Sequence, residues 1–157
     1  MTVSIGLKEP SRTQVIDRLA RVLADLSVLS LKTRNFHWNV TGPGFSELHK
    51  FFEAQYSTLE GEIDETAERS RALGGRALGS MKEMLAHARL RETGSGRSLS
   101  SDSMLGELLK DHEMFIRALR ADVDACGDAA DKGTEDFLVG MMETHEKMAW
   151  MLRAFIS

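Results

Sequence analysis

Five residues, Val40-Thr41-Gly42-Pro43-Gly44, separate two long runs of helical apolar spacing and leave the chain little room to do anything but reverse. Gly-Pro-Gly stops a helix, and so short a connection sets the next helix antiparallel to the one before it. On the N-terminal side, from Ser11, apolar residues recur at Val15, Leu19, Val22, Leu26 and Leu29, with Phe36 farther along the stripe. This spacing predicts a helix that begins just after Pro10. On the C-terminal side a second helix is expected from about Ser46 through Leu48, Phe52, Leu59 and Ile63 to Gly74-Gly75, a natural stop. It spans about seven or eight turns.

The sequence then changes character. A short amphipathic piece, SMKEMLAHARL, precedes the loop-like RETGSGRSLSS, and Ser80 with Glu83 forms the capping-box pattern that opens a small helix. A third long helix is expected from about Ser103, carrying Leu105, Leu108, Leu109, Phe115, Ile116 and Leu119, and ending near Gly127. The turn GDAADKG leads to a fourth, from Thr134 to the C-terminus. Two short connections and one long one predict an all-α four-helix bundle, two antiparallel hairpins joined by a crossover that carries a short helix. Residues 1–157 read as a single domain, with 1–11 a short N-terminal extension. That length suits one substantial core.

Composition narrows the function classes. Only two prolines stand beside nine methionines and many Leu, Ala and Glu, a mixture that favours helix over strand. The single cysteine, Cys126, has no intramolecular disulfide partner, and the N-terminus lacks a secretory apolar region, so a reducing cytoplasm is expected. No uncharged apolar run approaches the roughly 18 residues of a membrane span. With 24 acidic and 20 basic side chains the net charge is −4, which offers no global attraction to nucleic acid or an anionic membrane.

Histidines and carboxylates in the second helix carry the chemistry. His49 and Glu53 are spaced i, i+4, and so are Asp64 and Glu68, so each pair projects two donors from one helix face. Imidazole with carboxylate suits iron better than a soft metal. At about 100° per residue all four fall on one side of the helix, yet at 1.5 Å per residue His49 and Asp64 lie about 22 Å apart along its axis. They cannot bind one ion within one chain. An ordinary intrachain bundle site needs Glu-x-x-His on two helices, and no Glu-x-x-His occurs here. Two copies of the helix packed antiparallel about a twofold axis near residues 58 and 59 would set His49 and Glu53 of one chain opposite Glu68 and Asp64 of the other. His37, at the end of the first helix, can add a nitrogen beside His49.

HWNVTGPGFSELHKFFE followed by IDETAERSRALGG resembles the signature of the Dps-like mini-ferritins, the DNA-binding proteins from starved cells. DHEMFIRALR and HEKMAWMLRAFI are similar in kind to that family's later helices. The resemblance covers nearly all of the chain after about residue 12. It implies a ferritin-like bundle assembled from twofold dimers into a hollow dodecamer. It implies an enzyme, a ferroxidase that oxidises Fe(II), preferably with hydrogen peroxide, and stores the ferric product inside, with no organic cofactor. The ligands it implies are His37 and His49 from one subunit with Asp64 and Glu68 from its mate. Glu53 stands where the family commonly has aspartate, which makes it a longer-armed metal ligand. Trp38 resembles the family's tryptophan near the iron site, although interface packing explains it equally well.

The same resemblance places the turn before the last helix at threefold pores, where Asp122, Asp128 and Asp131 are the candidates for drawing Fe(II) to an entrance. Trp150 and Met141, Met142, Met148 and Met151 read as core or interface filling. His112 and His145 show no ligand partner in the sequence, and His87 sits on the crossover helix. The alternative function, a structural protein that coats nucleoid DNA, needs several phosphate-binding cations. The segment MTVSIGLKEPSR offers Lys8 and Arg12 against Glu9, and RAFIS ends the chain without a basic tail. Protection by consuming iron and peroxide needs no DNA contact.

Overall fold

The structure is a computed structural model that describes residues 3–156. Its elements are α1 (Glu9–Asn39), α2 (Phe45–Ala72), α3 (Met81–His87), α4 (Ser101–Asp128) and α5 (Lys132–Ile156), and the described residues contain no strand. Helix α1 starts two residues before Ser11, because Pro10 lies in its first turn, where a missing N–H leaves no bond unmade. Residues of the expected extension are thereby drawn into the bundle.

The reversal after α1 is tight. Gly42 and Gly44 adopt φ of 90° and 79°, a region that side chains disfavour, and the Phe45 N–H donates to the Gly42 carbonyl at 3.1 Å. Helix α2 therefore runs back along α1. Its far end closes on Gly74 and Gly75, where the Gly75 N–H donates to Ser70 at 2.9 Å. Between the helices the fully buried Leu19, Leu26, Leu29, Phe52, Phe115 and Leu138 form one apolar core.

The α3 cap follows the sequence expectation. The Glu83 N–H donates to the Ser80 hydroxyl at 3.3 Å, and the Glu83 carboxylate accepts from the Ser80 hydroxyl and from the Gly79 N–H. These contacts hold the Glu83 carboxyl at about 2, through the Gly79 N–H first and then Arg76 and Ser80. Helix α5 begins two residues earlier than expected, because Asp131 caps it: its carboxylate accepts from the Thr134 N–H at 3.0 Å and the Thr134 hydroxyl at 2.6 Å.

A buried carboxylate ties the crossover down. Asp25, inaccessible on α1, accepts from the backbone N–H of Arg89 (2.6 Å) and of Leu90 (3.0 Å) and from Arg89 Nε (2.7 Å). Arg89 then reaches Asp122 on α4 at 2.8 Å, and Arg18 on α1 closes the network at 3.2 Å. Removing one member of such a network leaves the others buried and unpaired, which costs about 3 to 5 kcal/mol. Asp25→Ala should therefore lower the urea-unfolding midpoint of the assembled protein sharply, whereas the exposed Asp17→Ala should not; equal midpoints would remove the anchor from this account.

Candidate metal centre

The α1/α2 turn places His37 and His49 face to face, with ring centroids 3.7 Å apart and planes 21° from parallel. Each imidazole donates Nδ1–H to the other residue's carbonyl, His37 to His49 at 2.7 Å and His49 to His37 at 2.8 Å. A carbonyl only accepts, so both rings hold the proton on Nδ1 and both keep the Nε2 lone pair for a ligand. Tyr56 stands edge-on to His37 with centroids 5.3 Å apart, and the Arg34 guanidinium lies 4.7 Å over the Tyr56 ring. Phe45 packs at 5.2 Å from His49.

Asp64 and Glu68 stand apart from this pair along α2. Glu53, Asp64 and Glu68 are all exposed on α2, and among the described residues no group of three or more His, Cys, Asp or Glu is disposed to hold a metal ion. The continuous helix from Phe45 to Ala72 fixes the separation that its rise requires. Beside the histidines the surface is apolar and open: Trp38 is 62% exposed and Phe45 46%.

Two of the three entrance candidates are built into the fold. Asp122 is fully buried with its two carboxylate oxygens bonded to Arg18 and Arg89, and Asp131 caps α5 while accepting from Arg69 at 3.0 Å. Both carboxylates pair with arginines that are themselves partly exposed; of the three, Asp128 alone is exposed. Of the cluster expected to fill space, Met141 and Met148 are buried, whereas Trp150 is 61% exposed. His87 is exposed on α3.

The residues that sequence reasoning passed over lie in the bundle interior. Glu62 Oε2 and His145 Nε2 are 2.9 Å apart, His145 Nδ1 and His112 Nδ1 are 2.9 Å apart, and both histidines are fully buried. Burial, followed by the neighbouring Glu65 charge, pushes the Glu62 carboxyl up to about 8. Burial lowers His145 to about 3, and burial with the His145 neighbour holds His112 well below its usual value. With all three neutral, Glu62 donates to His145 Nε2 and His145 Nδ1–H donates to His112 Nδ1. His112 Nε2 is then a buried donor without a partner. The available signal was a titratable residue at a core position: His112 falls in the stripe of Leu105, Leu108, Phe115 and Leu119, and His145 in that of Leu138, Met141, Met148 and Leu152.

A depressed histidine contributes stability that is present above its unfolded value near 6.5 and is lost as pH falls toward its folded value, about 3 for His145. The unfolded chain takes up protons that the core refuses. His112→Asn, which retains a polar partner for His145 but does not titrate, should lose stability less steeply across that window, by up to about 1.4 kcal/mol per pH unit for one proton. Chemical denaturation at several pH values measures the slopes, and parallel slopes for the two proteins would contradict the assignment.

Comparison with known proteins agrees with this architecture. The family model for the ferritin-like domain matches residues 16–157. The chain is 47% identical over 155 residues to an uncharacterized low temperature-induced protein of Nostoc sp., covering 98% of this chain and 86% of that one. It is 40% identical over 144 residues to DNA protection during starvation protein 2 of Bacillus anthracis, covering 92% and 97%. The structure of a Dps protein from Vibrio cholerae O1, described as a member of a broad superfamily of ferritin-like diiron-carboxylate proteins, superposes with a TM-score of 0.93 at 29% identity, covering 100% of this chain and 99% of that one. The chain belongs to the Dps family of ferritin-like proteins.

Proposed function

We propose that this protein is a ferroxidase and iron store whose active sites form only between twofold-related chains. Fe(II) is the substrate, hydrogen peroxide the preferred oxidant, and a dodecameric shell built from twofold dimers of this chain retains the ferric product, which protects the cell from oxidative damage. The observation that carries this reading is the reciprocal His37–His49 bonding, which leaves two Nε2 lone pairs on one rim where, among the described residues, no group of three or more potential ligands converges. Membership in a family that includes diiron-carboxylate proteins supports iron as the metal.

The roles follow from the side chains. His37 and His49 hold Fe(II) through neutral imidazoles, and the partner chain's copies of Asp64 and Glu68 supply the negative charge that favours the ferric state. The midpoint of His49 and Glu68 and the midpoint of Glu53 and Asp64 both fall between residues 58 and 59, so a twofold axis there sets His49 and Glu53 of one chain opposite Glu68 and Asp64 of the other. Glu53 extends toward the same ion. The exposed Trp38 and Phe45 are covered by the second chain, which excludes water from the site. Electrons pass from Fe(II) to peroxide, the O–O bond breaks, and hydrolysis of the ferric product releases protons. Asp128 serves at the entrance. Coating of DNA plays no part in this reading, given a net charge of −4.

Complementation tests the shared site. One variant carries His37→Ala with His49→Ala and another Asp64→Ala with Glu68→Ala; each should assemble and oxidise Fe(II) poorly with peroxide. In a mixed dimer one site receives both intact halves, so random co-assembly should restore roughly a quarter of all sites. Separately tagged chains verify the mixing. Verified mixing without recovered oxidation would rule the shared site out, since an intrachain site leaves every chain with its own lesion.

A further inference from the structure

We propose that Glu62 and His145, oriented by His112, form a second cation site inside each chain, for a divalent first-row transition-metal ion. The site is separate from the intersubunit ligands. Glu62 and Asp64 are neighbours in sequence, but about 200° of helical rotation turns Glu62 inward while Asp64 remains exposed.

Four observations converge here. First, Glu62 Oε2 and His145 Nε2 lie 2.9 Å apart on facing helices α2 and α5, both in buried residues. Metal–ligand bonds of about 2.1 Å at right angles place two donors about 3.0 Å apart, so an ion can bridge this pair with little movement of either helix. Second, His145 already has the tautomer that a metal requires. Its Nδ1–H is committed to His112 Nδ1 at 2.9 Å, leaving the Nε2 lone pair directed at the carboxylate. A partner on the far ring nitrogen fixes the ring and raises its basicity, the usual arrangement behind a metal-bound histidine.

Third, the pair has an approach. Glu62 forms part of a groove of about 470 Å³ between α2 and α5, which Glu65 and Asp136 also line. Their charge draws a cation to the mouth, and groove water fills the coordination positions that two protein donors leave open. Fourth, the core retains a polar chain that is not fully bonded, since it ends at His112 Nε2, fully buried and without a partner. A half-satisfied network is less favourable than apolar residues of similar volume, and leucine or phenylalanine fills the neighbouring layers at Leu59, Leu108, Phe115 and Leu138. The ion sits to one side of the Oε2···Nε2 line, so both side chains turn toward it and give up their mutual hydrogen bond.

Anaerobic Co(II) titration of the assembled protein tests this, read by visible absorption and by equilibrium dialysis. The background is the fourfold variant His37→Ala, His49→Ala, Asp64→Ala, Glu68→Ala, so failure of the intersubunit proposal does not affect the result. It should still bind about one Co(II) per chain through a nitrogen and a carboxylate donor. Glu62→Gln and His145→Leu, added singly, should each weaken that binding at least tenfold. His112→Leu should weaken it by about 10- to 100-fold without changing the stoichiometry, as loss of an orienting partner does. Size-exclusion chromatography checks assembly, and Glu62→Gln decides alone if a histidine variant does not assemble. A background that binds no Co(II), or Co(II) binding untouched by Glu62→Gln, would overturn the proposal and leave a buried polar bridge only.

Discussion

An α-helix advances 1.5 Å per residue and cannot double back, so groups on one face of a long straight helix stay apart however the rest of the chain folds. Helix α2 runs unbroken from Phe45 to Ala72 and carries His49 near one end and Glu68 near the other. That single constraint organises the chemistry. The histidine half of a site forms locally, because the Gly42-Pro43-Gly44 reversal stacks His37 on His49. In the proposed site the carboxylate half, Asp64 and Glu68, comes from another molecule. On that proposal oligomerisation is part of the active site's definition, and the exposed apolar rim at Trp38 and Phe45 is the surface the second chain would cover.

The interior shows how charge is buried in two different ways. Around Arg89 every charge has an answer: Asp25 accepts three bonds from one corner of the crossover, and Asp122 binds two arginines. This network fixes the return path between the two hairpins, so it sets which helices are neighbours and where α2 lies. The Glu62, His145 and His112 chain is different, since desolvation drives all three toward neutrality and one end remains unpartnered. Its matched charges mark the first as a fastening, although Arg89 Nη2 is left without a partner. The acidic groove beside Glu62 marks the second as the proposed place for a ligand.

Much of the fold was legible because helices declare themselves through local spacing. Val15 to Phe36 and Leu105 to Leu119 follow a 3.6-residue period, and Ser80 with Glu83 signals its cap within four residues. The helix ends were less legible: Pro10 inside the first turn and Asp131 as a cap each moved a boundary by two residues. Long-range partners were not legible at all. In sequence Asp122 and Asp131 look like solvated acids near a turn, and only the fold brings Arg18 across 104 positions to one and Arg69 across 62 to the other. His112 and His145 seemed to lack partners for the same reason, being 33 positions apart in sequence and 2.9 Å apart in space. The pairing of His37 with His49 was suggested by the short turn, whereas the bonds that set both tautomers run to backbone carbonyls, which no residue pattern encodes.

The central claim is that His37 and His49 complete their site with a second chain. The most direct measurement is the position of iron, located by anomalous scattering, in crystals of the assembled protein soaked anaerobically with Fe(II). The account predicts iron bonded to His37 and His49 of one chain and to the copies of Asp64 and Glu68 carried by its twofold mate. Iron at His37 and His49 with every protein ligand from a single chain would contradict it, and so would crystals whose iron avoids those two histidines.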